Sequence, residues 1–217
     1  MLNELESAFM MDGIQPEVAW REMTANEVGE WTAEVLRRTT TAERVGAQKR
    51  EVWERHWSDR LTAFLGSGDL RDLLPLYLRT MEPVRLNGRF VQPKRELFEV
   101  NVASTFRRRL LRSLYSDFAP RDVFEFGCGL GLATRDILAE FPKSRIWALD
   151  ISEASQRAMT EVFSGGRVAA VRFDMLRPDY NLSFMGTGRV EIPPGSLVVT
   201  CHAVEQLGEE YSLFLEY

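Results

Sequence analysis

VFEFGCGLGLATRDIL, residues 123–138, runs from a short apolar segment through three alternating glycines into a stretch with helical periodicity. A strand ending at Phe126, a turn on Gly127, Gly129 and Gly131, and a helix directly after it predict a βα unit. Glycine suits such a turn because it adopts positive φ and lets a ligand approach the backbone with no Cβ in the way. A dinucleotide-binding fingerprint needs Gly-x-Gly-x-x-Gly/Ala. Counted from Gly127 its last slot is Leu132, and counted from Gly129 it is Thr134, so both frames fail. What stands is Glu125 two residues ahead of Gly-Cys128-Gly-Leu-Gly.

Downstream, RIWALD, VAAVRF and SLVVTC are further β-rich runs, with LATRDILAEF and SEASQRAMTEVF helix-like between them. Strands alternating with ten-residue helices predict an α/β, Rossmann-like parallel sheet over residues 121–217. RIWALD ends on Asp150, 19 residues after Gly131, and Asp174 follows the third strand. Acids at strand C-terminal ends are ordinary singly; Glu125, Asp150 and Asp174 after successive strands form a pattern. Ile151 and Met175, next to two of these acids, are candidates for apolar walls or for core. The fourth run leads through Cys201 into HAVEQLG, where His202 and Glu205 are three apart and share a face if a helix starts there. The segment 175–195, rich in Pro and Gly, reads as a substrate lid or an irregular loop.

Upstream, residues 1–120 read as a mainly helical region with one interruption. Val28, Trp31 and Val35 recur at helical spacing after Thr24 or Asn26 as N-cap. A second helix over about 41–65 aligns Trp53, Trp57, Leu61 and Phe64 as a core stripe beside His56, and Gly-Ser-Gly at 66–68 stops it. Pro75 starts or kinks a further helix. Asn87-Gly88 between extended residues is a two-residue hairpin signal. A helix over about 94–117 repeats Phe98, Val102, Phe106, Leu110 and Leu114 as its core face, leaving Arg107, Arg108, Arg109 and Arg112 as a solvated surface or a dock for an acidic partner or phosphate.

Charge and composition exclude several classes. Of the net −5, residues 1–120 contribute nothing (18 Lys+Arg, 18 Asp+Glu), and residues 121–217 carry all of it (9 against 14). A nucleic-acid reader needs net basic charge or a basic stripe, so nucleic acid is not an expected partner. No apolar run reaches the roughly 18 residues of a membrane span. The acidic N-terminal stretch MLNELESAFMMDG lacks the charge of a signal peptide, and two cysteines are too few for a disulfide scaffold. A cytoplasmic protein is expected, and no metal-ligand spacing is present.

The glycine loop resembles the first motif of the class I S-adenosylmethionine-dependent methyltransferases: apolar strand, acid, apolar residue, Gly-x-Gly-x-Gly. The resemblance covers about residues 121–217. It implies that Gly127, Cys128, Gly129 and Gly131 wrap the methionine part of S-adenosylmethionine, with Glu125 organising the loop from below. It also implies that Asp150 accepts the ribose hydroxyls, Asp174 accepts the adenine amino group, and Ile151 and Met175 flank the adenine. The fourth strand then lies beside the loop and brings Cys201 to the cofactor's methionine end; His202, with Glu205, is there either a catalytic general base for a hydroxyl acceptor or a residue that shapes the pocket or caps the helix. The segment from HAVEQLG to Phe214-Leu215 is similar to one of sugar O-methyltransferases.

The expected activity is methyl transfer to a small-molecule acceptor, a hydroxyl, with S-adenosylhomocysteine as product. The acidic loop also suits a sulfonium and an ammonium better than a pyrophosphate. The alternatives are a non-catalytic cofactor-binding or assembly module and a nucleotide-cofactor oxidoreductase. Class I members continue past the fourth strand with three more strands, whereas 16 residues follow Cys201. The fourth strand is therefore expected at a sheet edge, in a homo-oligomer or beside a complementing C-terminal half.

Overall fold

The computed structural model describes residues 20–40, 46–75, 78, 81–178, 182–184 and 188–216. The N-terminal stretch read for a signal peptide lies outside them. The chain divides into two compact units, one of residues 1–44 and 76–105, the other of 45–75 and 106–217. Residues 45–75, which the sequence grouped with the N-terminal half, fall in the unit that carries the large sheet.

In the first unit, Thr24 starts helix α1 (Ala25–Thr40) with a reciprocal cap. Its backbone N–H donates to Glu27 at 2.8 Å while the Glu27 N–H donates to the Thr24 hydroxyl at 3.4 Å. Strands β1 (Trp20–Glu22), β2 (Val84–Leu86) and β3 (Arg89–Pro93) form an antiparallel sheet in the order β1-β3-β2. The predicted hairpin is there: Leu86 pairs with Arg89, and Asn87 and Gly88 take φ of 48° and 81°, both positive as a type I′ turn needs.

The second unit is built on a six-stranded sheet. Strands β4 (Asp122–Phe126), β5 (Arg145–Asp150), β6 (Val168–Arg172) and β9 (Leu197–Thr200) are parallel, in the order β6-β5-β4-β9. This is the Rossmann-like α/β arrangement, with the first and fourth parallel strands adjacent. Helices α4 (Leu132–Glu140) and α5 (Glu153–Val162) are the βα connections. Every residue of β4 is buried, as a central parallel strand requires. Phe124, Phe126, Leu149, Val171 and Phe173 head the core beneath the strands' C-terminal ends.

Within segment 175–195, read from the sequence as a lid or an irregular loop, the described residues include two short strands. Strands β7 (Leu182–Phe184) and β8 (Gly188–Val190) add antiparallel to the β6 edge. At the other edge lies β9, with Val198 50% exposed. Among the described residues no helix is long and apolar enough to cross a membrane.

Helix α3 (Phe98–Leu114) corrects the sequence reading of its faces. Phe106 and Leu114, expected in the core, are 65% and 62% exposed. The arginine face packs instead. Arg107 pairs with Asp136 at 2.7 Å, and Arg108 and Arg112 pair with Glu140 at 2.7 and 2.9 Å. The cause lies on α4, whose side toward these arginines carries buried carboxylates that must be compensated.

Candidate functional site

The glycine loop leaves β4 at the C-terminal end of the sheet, next to the point where the strand order turns back, where open α/β sheets bind ligands. Gly127, Gly129 and Gly131 have φ of 74°, 52° and 85°. Each position is also sterically closed. A Cβ on Gly127 would lie 2.3 Å from the Ala203 Cβ, and one on Gly131 2.5 Å from the Phe163 ring. At Gly129 the nearest atom is Cζ2 of Trp57, 3.2 Å away.

The loop's N–H groups are engaged inside the protein. Gly127 and Cys128 both donate to the Leu149 carbonyl, at 2.7 and 3.0 Å, and Gly131 donates to the Cys128 carbonyl at 3.0 Å. Gly129 donates to Asp150 Oδ2 at 2.9 Å, while Asp150 Oδ1 accepts the Ser152 N–H at 2.9 Å. Asp150 thus ties the loop to the end of β5, and burial raises its pKa despite these two bonds. A phosphate cradle needs backbone N–H groups turned outward, and these four are turned inward.

Glu125 sits beneath the loop, 1% exposed, and accepts the Thr134 hydroxyl at 2.5 Å. Burial pushes its pKa up to about 8, against the opposing pull of Thr134 and Arg107. At neutral pH it is mostly a neutral acid, which removes the charge that the sequence reading set against phosphates. The engaged N–H groups carry that discrimination instead.

Asp174 follows β6 and accepts the Leu176 N–H at 3.0 Å on one oxygen and the Arg50 guanidinium on the other. Met175 is buried in the core cluster, with its sulfur 3.8 Å from where a Gly127 Cβ would be. Ile151 is half-buried. Cys128 turns toward Ser155 of α5, Sγ to Oγ 3.5 Å, and burial raises its pKa well above the usual thiol value. Cys201 is half-buried and burial pushes it up to about 11, so neither free cysteine is a ready nucleophile at neutral pH.

His202 leaves β9 with φ of 59°, an uncommon backbone state for a non-glycine residue and one that recurs at functional positions. Its Nδ1 lies 3.3 Å from Glu205 Oε1. The pair forms without the shared helix expected for it, since the following 3₁₀ turn, Val204–Glu210, begins after His202. Ala203, next to His202, packs on Gly127.

The sequence reading missed the role of helix α2 (Arg50–Ser67). It treated Trp53, Trp57, Leu61 and Phe64 as a core stripe, of which Trp57 and Leu61 are buried. The face that matters is Arg50, Glu54 and Trp57, spaced i, i+4, i+7. Arg50 takes Asp174, Glu54 accepts the first N–H groups of α5 (Glu153 at 2.9 Å, Ala154 at 3.2 Å), and Trp57 covers Gly129. Two charged residues and a tryptophan on one helical face was the available signal.

No protein-family model and no curated protein matches the chain. Among solved structures it is similar to the pyocyanin biosynthetic protein PhzM, with 27% identity over 40% of this chain and a TM-score of 0.32. Coclaurine N-methyltransferase bound to N-methylheliamine and SAH is similar at 11% identity over 70% of this chain, TM-score 0.34. EvdMO1 is similar at 16% identity over 79%, TM-score 0.37. The chain spans 27%, 47% and 33% of the lengths of those three proteins.

Proposed function

We propose that the chain binds S-adenosylmethionine at the glycine loop and promotes methyl transfer to the hydroxyl of a small-molecule acceptor. The observation that carries this reading is the loop itself. Three positive-φ glycines stand at the switch point of the sheet, flanked by strand-end acids, with the loop N–H groups turned inward. The N–H groups of Gly127, Cys128, Gly129 and Gly131 are already bonded inside the protein, so four donors that a pyrophosphate would use are engaged, which disfavours the nucleotide-cofactor oxidoreductase. In this reading Asp150 accepts the ribose hydroxyls and Asp174 the adenine amino group.

When bound, the cofactor supplies an electrophilic methyl group on a sulfonium. The chain's part is to orient the acceptor and take its proton. In this reading His202, with Glu205 Oε1 3.3 Å from its Nδ1, is the base that takes the hydroxyl proton. Alignment of the acceptor at about 3–3.5 Å from the reacting carbon supplies the rest.

Calorimetry of the full chain with S-adenosylhomocysteine and, separately, NAD tests the reading. Binding of S-adenosylhomocysteine alone supports it, and binding of NAD alone replaces it with the oxidoreductase. Incubation with labelled S-adenosylmethionine and hydroxylated acceptors then separates an enzyme from a binding module.

A further inference from the structure

The chain's own helix α2 lies against the strand ends where the cofactor is proposed to bind. Its Arg50, Glu54 and Trp57 reach three separate points along the C-terminal ends of β4, β5 and β6: Gly129 in the loop, the N-terminus of α5, and Asp174. These are the points where the proposed ligand would meet the loop, the ribose acid's neighbourhood and the adenine acid. We propose that α2 is a self-docked strap that occupies the cofactor crevice and must withdraw for the cofactor to enter. The inference rests on the function proposed above and adds the regulation of that site.

Charge and packing support a strap rather than a fixed wall. Asp174 has one oxygen on the Leu176 N–H and the other on Arg50, so an adenine amino group at that second oxygen would share it with the guanidinium while α2 stays docked. Glu54 places a carboxylate on the two leading N–H groups of α5, an anion on the positive end of a helix. Trp57 lies over the glycine that lacks a side chain, using the space a ligand would use.

The seat is also imperfect. Among eighteen residues of α2, Trp57 and Leu61 are the buried ones, and Nε of Arg50 is buried with no hydrogen-bond partner among the described residues. Around Trp57 and Leu61, Val52, Trp53 and Phe64 are half-buried, and the polar contacts of Arg50 and Glu54 are part-exposed; part-exposed contacts belong to the low-stability end of a fold, from which moving elements are drawn. The C-terminal end of α2 is closed by Gly68, at φ 71°, which donates its N–H to the Phe64 carbonyl at 2.7 Å.

The test is affinity for S-adenosylhomocysteine, by calorimetry on the full chain. A ligand that binds only the open state has its apparent affinity reduced by the open fraction, so loosening the strap must tighten binding. The double variant Arg50→Ala, Glu54→Gln removes the polar contacts while keeping the buried Trp57 and Leu61. It is expected to bind about tenfold tighter than the unsubstituted chain, with the gap narrowing at high salt, where the ionic contacts weaken by themselves. Trp57→Phe is a second variant that keeps an apolar ring at the loop, expected to tighten binding to a smaller degree. Equal affinity in all three proteins, or weaker binding by the variants, overturns the strap and leaves the cofactor site standing. Absence of binding in all three, each shown folded by circular dichroism, overturns the cofactor reading and the strap with it.

Discussion

Asp150, the last residue of β5, accepts the Gly129 N–H at 2.9 Å, so the acid and the loop glycine form one rigid piece across two neighbouring strands. The contact gives Asp150 a second task besides any ligand it meets. Its other oxygen takes the Ser152 N–H and sets the chain's entry into α5. A substitution here acts on the fold and on binding together.

Asp150→Ala is therefore expected to lower the free energy of unfolding by about 1.5–3 kcal/mol, the usual range for hydrogen bonds to a charged acceptor. Affinity for S-adenosylhomocysteine is expected to fall by about one to two decades. Urea denaturation with and without the ligand separates the two effects. Unchanged stability would mean the loop holds its shape without the acid.

The three loop glycines should respond unequally to alanine. All have positive φ, which costs roughly 1–2 kcal/mol for any L side chain. At Gly127 and Gly131 the new methyl also meets Ala203 or Phe163 at 2.3 and 2.5 Å, inside the packed core. At Gly129 it meets a Trp57 ring edge at 3.2 Å on a helix that can shift. Gly129→Ala is expected to cost about 1–2 kcal/mol, the other two about 3 kcal/mol or more. Thermal melts of the three variants give the ranking, and a Gly129 variant as damaged as the others would contradict it.

The features legible in the sequence are the local ones. The glycine loop, the Asn87-Gly88 turn and the Thr24–Glu27 cap each sit within a few residues, where backbone sterics and short-range hydrogen bonds decide the outcome. Long-range choices were not legible. The Phe106-Leu110-Leu114 stripe has helical spacing, but the face that packs is set by Asp136 and Glu140, 29 and 32 residues from their arginines. Arg50 meets Asp174 over 124 residues, and nothing near Arg50 in sequence announces it. The β7–β8 pair was hidden by Pro and Gly around two three-residue strands, too short for an alternating pattern to appear.

His202→Ala is expected to reduce turnover by about two to four decades while leaving S-adenosylhomocysteine affinity within a few-fold. Glu205→Gln should retain more activity than the alanine variant, because the imidazole keeps its Nε2 and loses its carboxylate partner. Steady-state kinetics on an accepted hydroxyl substrate, with calorimetry in parallel, measures both. Loss of binding with turnover retained at saturation would make His202 a shaping residue.

Glu125 makes stability depend on pH in a direction opposite to the common carboxylate case. Its pKa rises from about 4.5 in the unfolded chain to about 8 in the fold, because burial disfavours the charged form. The folded state therefore holds a proton that the unfolded state releases. The contribution is fully present below about pH 4.5, declines as pH rises, and is lost above about pH 8, by on the order of 3–5 kcal/mol. Glu125→Gln keeps the shape and an acceptor for Thr134 but cannot ionise. The variant should match the unsubstituted chain near pH 5 and exceed it at pH 9. A shallower slope remains from Asp150, whose pKa the fold also raises. Chemical denaturation across pH 5–9 measures the difference. Parallel curves for the two proteins would place the Glu125 proton elsewhere and return the carboxylate to its charged form beneath the loop.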